Sequence, residues 1–342
     1  MMHRAVGTAA SRRRWITLAR IPLIAALAAP AAHGLAAAGD WKPDSPVELI
    51  ATNAPGGGSD RILRLMQKIM PGQAGVTVPL NVVNKPGGGS AIAYNYLNQH
   101  PGNAHYFVLG SKSLITNHIV GRGPSYTTMT PVAHLFNEYI AVTVRPDSPI
   151  KTGKDLVDRL KADPQAVSFG IATSMGAPNH QGAAVALSKA GIDIKKLRAV
   201  IFPSGGAATT ALFGGHVDVV PISVAFATSL LRNNQVRIVA IAAPQRLPGD
   251  LAQIPTWREQ GQDAVVSQWR GFVGPKDMTA AQVAYWEQTF RRFLESPEWK
   301  AELEKNFWQP DFKNAAGFRK VLDEDHAEAT RFLDELGLVK KK

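Results

Sequence analysis

The sequence predicts an α/β protein of mostly parallel strands divided into two domains. Three observations carry that prediction. Short apolar runs alternate with segments of helical periodicity along most of the chain, as when helices cover a parallel sheet. The phrase Asn53-Ala54-Pro55-Gly56-Gly57-Gly58-Ser59 returns 31 positions later as Asn84-Lys85-Pro86-Gly87-Gly88-Gly89-Ser90. Each copy stands between an apolar run and a helical segment. The chain has 342 residues, and about 304 remain beyond an N-terminal leader, a length that favours two domains over one.

The elements follow in order. Residues 47–51 and 78–83 read as strands, each running through a glycine phrase into a helix. A strand at 106–109 ends in Gly110-Ser111-Lys112, and one at 140–144 stops at Arg145-Pro146, where proline removes a ladder donor. A helix over 155–162 precedes a strand at 167–171. The helix over 180–189 is closed by Gly191, a residue suited to a C-cap. A strand at 200–202 runs into Pro203-Ser204-Gly205-Gly206, and a helix over 207–213 ends at Gly214-Gly215. Strands at 217–222 and 236–242 complete the group. Beyond Trp269 the alternation gives way to long helices over 280–306 and 315–336. In the second, Phe318, Val321, Leu322, Phe332, Leu333 and Leu336 recur at helical spacing.

The N-terminus reads as an export signal. Arg4, Arg12, Arg13, Arg14 and Arg20 precede any acidic residue, an apolar stretch runs from 21 to 32, and Ala36-Ala37-Ala38 offers a cleavage site. The stretch is too short to span a bilayer. The expected location is the periplasm, with cleavage near Ala38. Sec and twin-arginine export both remain open. The formal charge of +11, less those five arginines, is +6. That modest excess suits a small anionic ligand, whereas a nucleic-acid binder would cluster its basic residues among aromatics. There is no cysteine, which excludes disulfides, thiolate metal sites, cysteine nucleophiles and a lipid anchor on an N-terminal cysteine. The nine histidines include no His-Glu-x-x-His, so no metal and no cofactor is expected.

A strand, a glycine turn and a helix N-terminus together make an anion-holding device. Glycine lets the backbone approach the ligand, and the unpaired N–H groups of the first helical turn point at it. Gly-rich turns also serve simply as loops. The phrases match neither Gly-x-x-x-x-Gly-Lys-Ser/Thr nor Gly-x-Gly-x-x-Gly, which disfavours a nucleotide. On this reading Gly57→Val blocks backbone approach while leaving the fold intact.

Five co-linear motifs resemble the receptors of tripartite tricarboxylate transporters, the Bug or TctC-like family of periplasmic solute-binding proteins. They are Ala54-Pro55-Gly56-Gly57-Gly58-Ser59-Asp60, Asn84-Lys85-Pro86-Gly87-Gly88-Gly89, Leu212-Phe213-Gly214-Gly215-His216-Val217-Asp218, Ile254-Pro255-Thr256-Trp257-Arg258-Glu259-Gln260-Gly261, and Trp269-Arg270-Gly271 with Gly274-Pro275. The resemblance implies a type II-like, two-domain periplasmic binding protein with two crossover strands and its ligand in the cleft. Domain 1 would comprise 39–142 and 268–342, and domain 2 would comprise 143–267. Hinges are expected near 144–146 and 267–270. The implied partners are a small carboxylate and the membrane permease subunits of such a transporter, and the protein is expected to be monomeric.

By the same resemblance, Pro55, Gly56, Gly57, Gly58 and Ser59 with Gly87, Gly88, Gly89 and Ser90 would hold a ligand carboxylate. Ser111 would contribute from the third strand, with Lys112 beside it. Thr173, Ser174 and His180 would close from domain 2. Ser204, Gly205 and Ser223 occupy the next two loops. Ser204 stands where many members carry lysine, and Pro221-Ile222-Ser223 where many carry an acid. Losing the acid argues against an amino-acid ligand, whose ammonium needs a partner. Two other readings stay open: a ligand-sensing partner of a membrane receptor kinase, and a hydrolase using Ser174. Ala172-Thr173-Ser174-Met175-Gly176 is one residue from the nucleophile elbow.

Overall fold

The computed structural model describes residues 41–340; the leader and its cleavage point near Ala38 lie outside them. β1 (Val47–Ala51) is apolar except at Glu48, and the first glycine phrase carries it into α1 (Gly58–Gln73). The buried stripe of α1 is Ile62, Leu63, Met66, Ile69 and Met70, the spacing of a helix with one covered face. β2 (Leu80–Asn84) ends on the first residue of the second phrase, and α2 (Ala91–Leu97) follows. β3 (Tyr106–Gly110) and α3 (Ser113–Ile119) complete this first series.

Then comes β4 (Thr130–Val144), a strand of 15 residues. A second series follows: α4 (Gly153–Ala162), β5 (Ser168–Ala172), α5 (Pro178–Lys189), β6 (Arg198–Phe202), α6 (Gly205–Phe213), β7 (Val219–Ser223), α7 (Val224–Arg232) and β8 (Arg237–Ile241). The chain returns through β9 (Ser267–Gly274) and ends with α8 (Ala280–Glu295), α9 (Pro297–Lys305), β10 (Gln309–Lys313) and α10 (Ala315–Glu335). The strand order is β2-β1-β3-β9-β4-β7-β5-β6, with β8 and β10 also paired to β4.

Within each series the strands are parallel: β1 with β2 and β3, and β5 with β6 and β7. The other five pairings are antiparallel, and each involves β4 or β9. The prediction of mostly parallel strands therefore holds inside each series but not for the sheet as a whole. Strands that link two parallel series meet their neighbours head-on.

β4 changes partners along its length. Tyr139 lies opposite Ser267 of β9, and the next residue, Ile140, lies opposite Ser223 of β7. The sequence predicted strand only over 140–144. The first ten residues include Pro131, His134, Asn137 and Glu138, yet Val132 to Phe136 are all buried. A strand covered on both faces shows no period-two signal. The predicted helix over 280–306 is likewise two helices. Ser296 accepts from the Trp299 N–H at 3.3 Å and caps α9, while Pro297 cannot donate back into α8. Rings pin α8 to the sheet: Phe107 meets Trp286 at 4.8 Å between centroids, and Phe272 stacks on Phe290 at 4.5 Å. Among the described residues no helix is long and apolar enough to cross a membrane.

Candidate functional site

The carboxyl ends of β1, β2, β3, β5, β6 and β7 converge on one cavity of about 60 Å³, where open α/β sheets place ligands. Gly56, Gly57, Gly58, Ser90, Ser111 and Ser113 line it from the first series. Thr173, Asn179, Gly205, Gly206, Ser223 and Phe226 line it from the second, and Gln268 and Arg270 from β9.

Helix capping divides the molecule into two groups. The helices away from the cavity are capped by side chains: Thr152 on α4, Thr279 on α8, Ser296 on α9 and Asn314 on α10. At the cavity, α1, α5 and α7 begin at Gly57, Ala177 and Ser223, none of which caps its own helix, although Asn53 Oδ1 accepts from the Ser59 N–H of α1 at 3.1 Å. Only α6 among the longer helices there is capped, by Ser204 accepting from Ala207 N–H at 3.1 Å. Uncapped helix starts present unpaired N–H groups and the positive end of the helix dipole. Facing one small cavity, the open starts of α5 and α7 together with the Gly58 N–H of α1 make a cradle for an anion.

The first phrase is braced from within. Ser59 is fully buried; its Oγ accepts from the Thr52 N–H at 3.0 Å and lies 2.8 Å from Asn53 Oδ1. Asp60 Oδ2 accepts from the Gly56 N–H at 2.8 Å, and its other oxygen accepts from Arg64 and Asn84 at 3.0 Å each. Burial alone would push this carboxyl up, but those hydrogen bonds outweigh it and hold Asp60 below the usual carboxylate range. Ser90 and Thr173, both on the cavity wall, have φ of 91° and 70°. Positive φ is costly for a serine and more so for a β-branched threonine, and such strain gathers at functional sites.

Two guanidiniums reach the cavity. Arg270, nearly buried, donates through Nε to Glu138 Oε1 at 2.7 Å, with Nη2 at 2.5 Å from the same oxygen. Gln268, two residues back on the same face of β9, donates to that oxygen at 2.8 Å. Glu138 is 2% exposed, so it fixes both β9 side chains from beneath. Arg61 lies one turn into α1 beyond Gly58, its guanidinium carbon 4.1 Å from the Phe226 ring centroid on α7.

Several predicted residues lie elsewhere. Pro55 is exposed at the loop tip, and Ser59 is the brace just described. Gly87, Gly88 and Gly89 form a turn of positive φ behind Ser90. A Cβ on Gly89 would meet Asn117 Oδ1 at 2.8 Å and Ser174 Oγ at 3.4 Å. Ser174 is buried at this contact between the two series. His180 is also buried, its Nδ1 accepting from the Gly176 N–H at 3.1 Å, and burial lowers its pKa to about 4. Among the described residues no hydrogen bond joins it to Ser174, as a hydrolase pair would need. Ser204 is spent on its cap. Lys112 faces a different cavity, with Nζ 3.1 Å from Asp325 and 3.7 Å from Glu328.

The cavity residues that sequence reasoning missed include Arg61, Ser113, Asn179, Gly206, Phe226, Gln268 and Arg270. Two signals could have found the arginines. Arg61 is i+3 from Gly58, which stacks it on the helix start. Gln268 and Arg270 flank a buried Trp269 at period two.

The family model described as "Tripartite tricarboxylate transporter family receptor" matches residues 62–338. A "UPF0065 protein in gbd 5'region" from Cupriavidus necator is 25% identical, over 96% of this chain and 99% of its own length. The solved structure of the periplasmic binding protein BugD superposes with a TM-score of 0.80 at 20% identity, covering 88% of this chain and all of its own. A Rhodopseudomonas palustris protein solved with adipate also gives 0.80 at 20% identity, over 87% of this chain and 99% of its own. The motifs, the two-series fold and the family match agree: this chain belongs to the receptor family of the tripartite tricarboxylate transporters.

Proposed function

We propose that the protein captures a small carboxylate in the cavity between its two series and delivers it to the membrane permease of a tripartite tricarboxylate transporter. The single observation that carries this reading is the meeting of the open starts of α5 and α7 with the Gly58 amide at one small cavity that also receives Arg61 and Arg270. Backbone N–H groups and guanidiniums are hydrogen-bond donors, and a carboxylate is an acceptor only. The adipate bound by the R. palustris protein of similar fold points to the same ligand class. The anion docks on the Gly58 amide and on the starts of α5 and α7. Gly205, Ser223 and Thr173 then meet its far side as 143–267 closes on 39–142 and 268–342. The site binds rather than catalyses, and the output is transport.

A thermal-shift screen of the chain from residue 39 onward tests this, using carboxylates, amino acids, aromatic acids and nucleotides. A ligand at ~100 times its dissociation constant adds roughly 2.7 kcal/mol, here a rise of roughly 5–10 °C. A shift confined to carboxylates is expected. A panel that leaves the melting temperature flat, with no co-purified ligand by mass spectrometry, rejects the solute-binding reading. Delivery is tested by uptake into vesicles carrying the permease, which should require the loaded receptor.

A further inference from the structure

The outer strands of the sheet are not equally guarded. At one end β2 exposes Asn81 and half-buries Val82 and Val83. β10, paired among the described residues with β4 alone, exposes Gln309 and Pro310. Polar groups and proline discourage a further strand. At the other end β6 pairs with β5 alone among the described residues. Its sequence, Arg198-Ala199-Val200-Ile201-Phe202, has no proline and no charge after Arg198. Val200 and Ile201 are each 45% exposed. Neighbouring residues point to opposite faces of a strand, so both faces beside this open edge are apolar. Phe213, which ends the following helix α6, is exposed too.

The edge is basic at its start, where Lys195, Lys196 and Arg198 are exposed. Two acids lie near them, and both are committed to backbone. Asp193 accepts from the Lys195 N–H at 3.1 Å, and Asp218 from the Ser168 N–H at 2.8 Å. They approach Lys196 and Arg198 no closer than 3.8 and 3.7 Å. The other end of β6 belongs to the cavity. Its Phe202 carbonyl accepts from the Thr173 N–H at 2.8 Å, and Gly205 and Gly206 of the next turn line the wall.

We infer that β6 is a docking edge: an extended segment of the membrane permease adds to it as a further strand, with acidic residues at the Lys195–Arg198 end and apolar side chains on Val200 and Ile201. This rests on the delivery step proposed above and names the contact that delivery uses. Backbone hydrogen bonds give an added strand its affinity, and flanking side chains give its selectivity. A second copy of this chain fits less well. Three partly exposed side chains offer on the order of 250 Å², against the ~800 Å² per partner of a stable complex, and a second β6 carries no acid for the lysines.

Fluorescence anisotropy tests the edge with labelled Glu-Glu-Val-Thr-Val-Thr-Val, its reversed sequence and the lysine counterparts of both. Uptake into vesicles carrying the permease, with the carboxylate that raises the melting temperature most, tests its use. One acidic peptide should bind about tenfold or more tighter than its lysine counterpart, the sum of a few exposed charge pairs, and should slow hydrogen exchange of the β6 amides. Ile201→Lys should weaken that peptide about tenfold or more and cut uptake to a small fraction. Its carboxylate affinity and melting temperature should match the wild type, since Ile201 is exposed and does not line the cavity. Asn81→Lys on the opposite edge should change neither peptide binding nor uptake. Equal binding of acidic and lysine peptides, peptide binding that survives Ile201→Lys, or undiminished uptake by that variant overturns the inference. So does a concentration-dependent dimer in sedimentation that Ile201→Lys dissolves, which gives the edge to a second copy. Failure of the wild type to bind any carboxylate rejects the solute-binding reading, a result read separately from the peptide titrations.

Discussion

Asn84 Nδ2 donates to the Asn53 carbonyl at 2.9 Å, so the first residue of the second glycine phrase ties down the first residue of the first. β1 and β2 set this up by pairing Ala51 with Asn84 in parallel register. Asn84→Ala removes this bond and one of the partners of buried Asp60. A loss of about 1–3 kcal/mol in urea denaturation is expected, together with weaker ligand binding because the loop that carries the Gly58 amide loses its brace. Unchanged stability would show that the two phrases are independent loops.

The glycines of the first phrase differ in what a side chain would meet. A Cβ on Gly57 would lie 2.5 Å from Asn53 Cβ and 2.9 Å from the Ala54 carbonyl, so Gly57→Val must shift the loop itself. That variant is expected to lower the melting temperature as well as affinity, rather than leave the fold intact. Gly58→Ala is the cleaner probe, since its Cβ meets only Arg270 Nη2 at 3.3 Å. Calorimetry should show lost ligand affinity with stability held within about 1 kcal/mol.

Glu138 and Arg270 form a buried pair under the cavity. Glu138→Ala strands the guanidinium at 6% exposure and should destabilise the protein by about 3–5 kcal/mol. Glu138→Gln keeps an acceptor oxygen and should cost less. Equal melting temperatures for the wild type and both variants would mean that solvent reaches Arg270 freely.

His180 gives the protein an acid-side weakness. Its folded pKa is about 4 against an ordinary 6.5. Above 6.5 both folded and unfolded states hold it neutral, and its contribution is constant. As pH falls from 6.5 toward 4, the unfolded chain takes a proton that the folded one refuses. Stability then drops, by about 3 kcal/mol at full extent. Urea titrations at about pH 7 and about pH 4.5 should show the loss, with a shallower dependence in His180→Gln. Identical slopes in the two proteins would assign the acid sensitivity to other groups.

Lys112 should act on stability rather than on ligand. Burial pushes the Asp325 carboxyl up, Lys112 counters it, and Trp269 donates to the same carboxylate. Lys112→Ala is expected to lower the melting temperature and leave carboxylate affinity unchanged by calorimetry. A large fall in affinity at constant stability would place Lys112 at the ligand after all.

The parts of the molecule legible in the sequence are those with a local signal. The glycine phrases announce strand ends and helix starts by their own conformational needs, and β1, β3 and α10 stand close to where apolar spacing places them. The first ten residues of β4 were hidden because burial on both faces erases alternation and admits His134 and Glu138. The site was half legible for the same reason. Gly56 to Gly58 are recognisable wherever they occur, but an arginine reads as solvated until the fold shows Glu138 beneath it or Phe226 beside it. Lys112 erred in the opposite direction. Its place beside Ser111 is a chain neighbourhood, and α10 turns its ammonium away.

The bare helix starts also bear on how long the protein lasts. A missing cap leaves a helix end weaker by about 0.5–2 kcal/mol, and α5 and α7 are both in that condition. On the proposed function, a bound anion would stand in for both missing side-chain caps. First turns that fray are where proteases cut. On that reading the ligand-free protein should be nicked near Ala177 and Ser223 faster than the carboxylate-loaded protein, so its half-life under limited proteolysis would itself record what the surroundings contain.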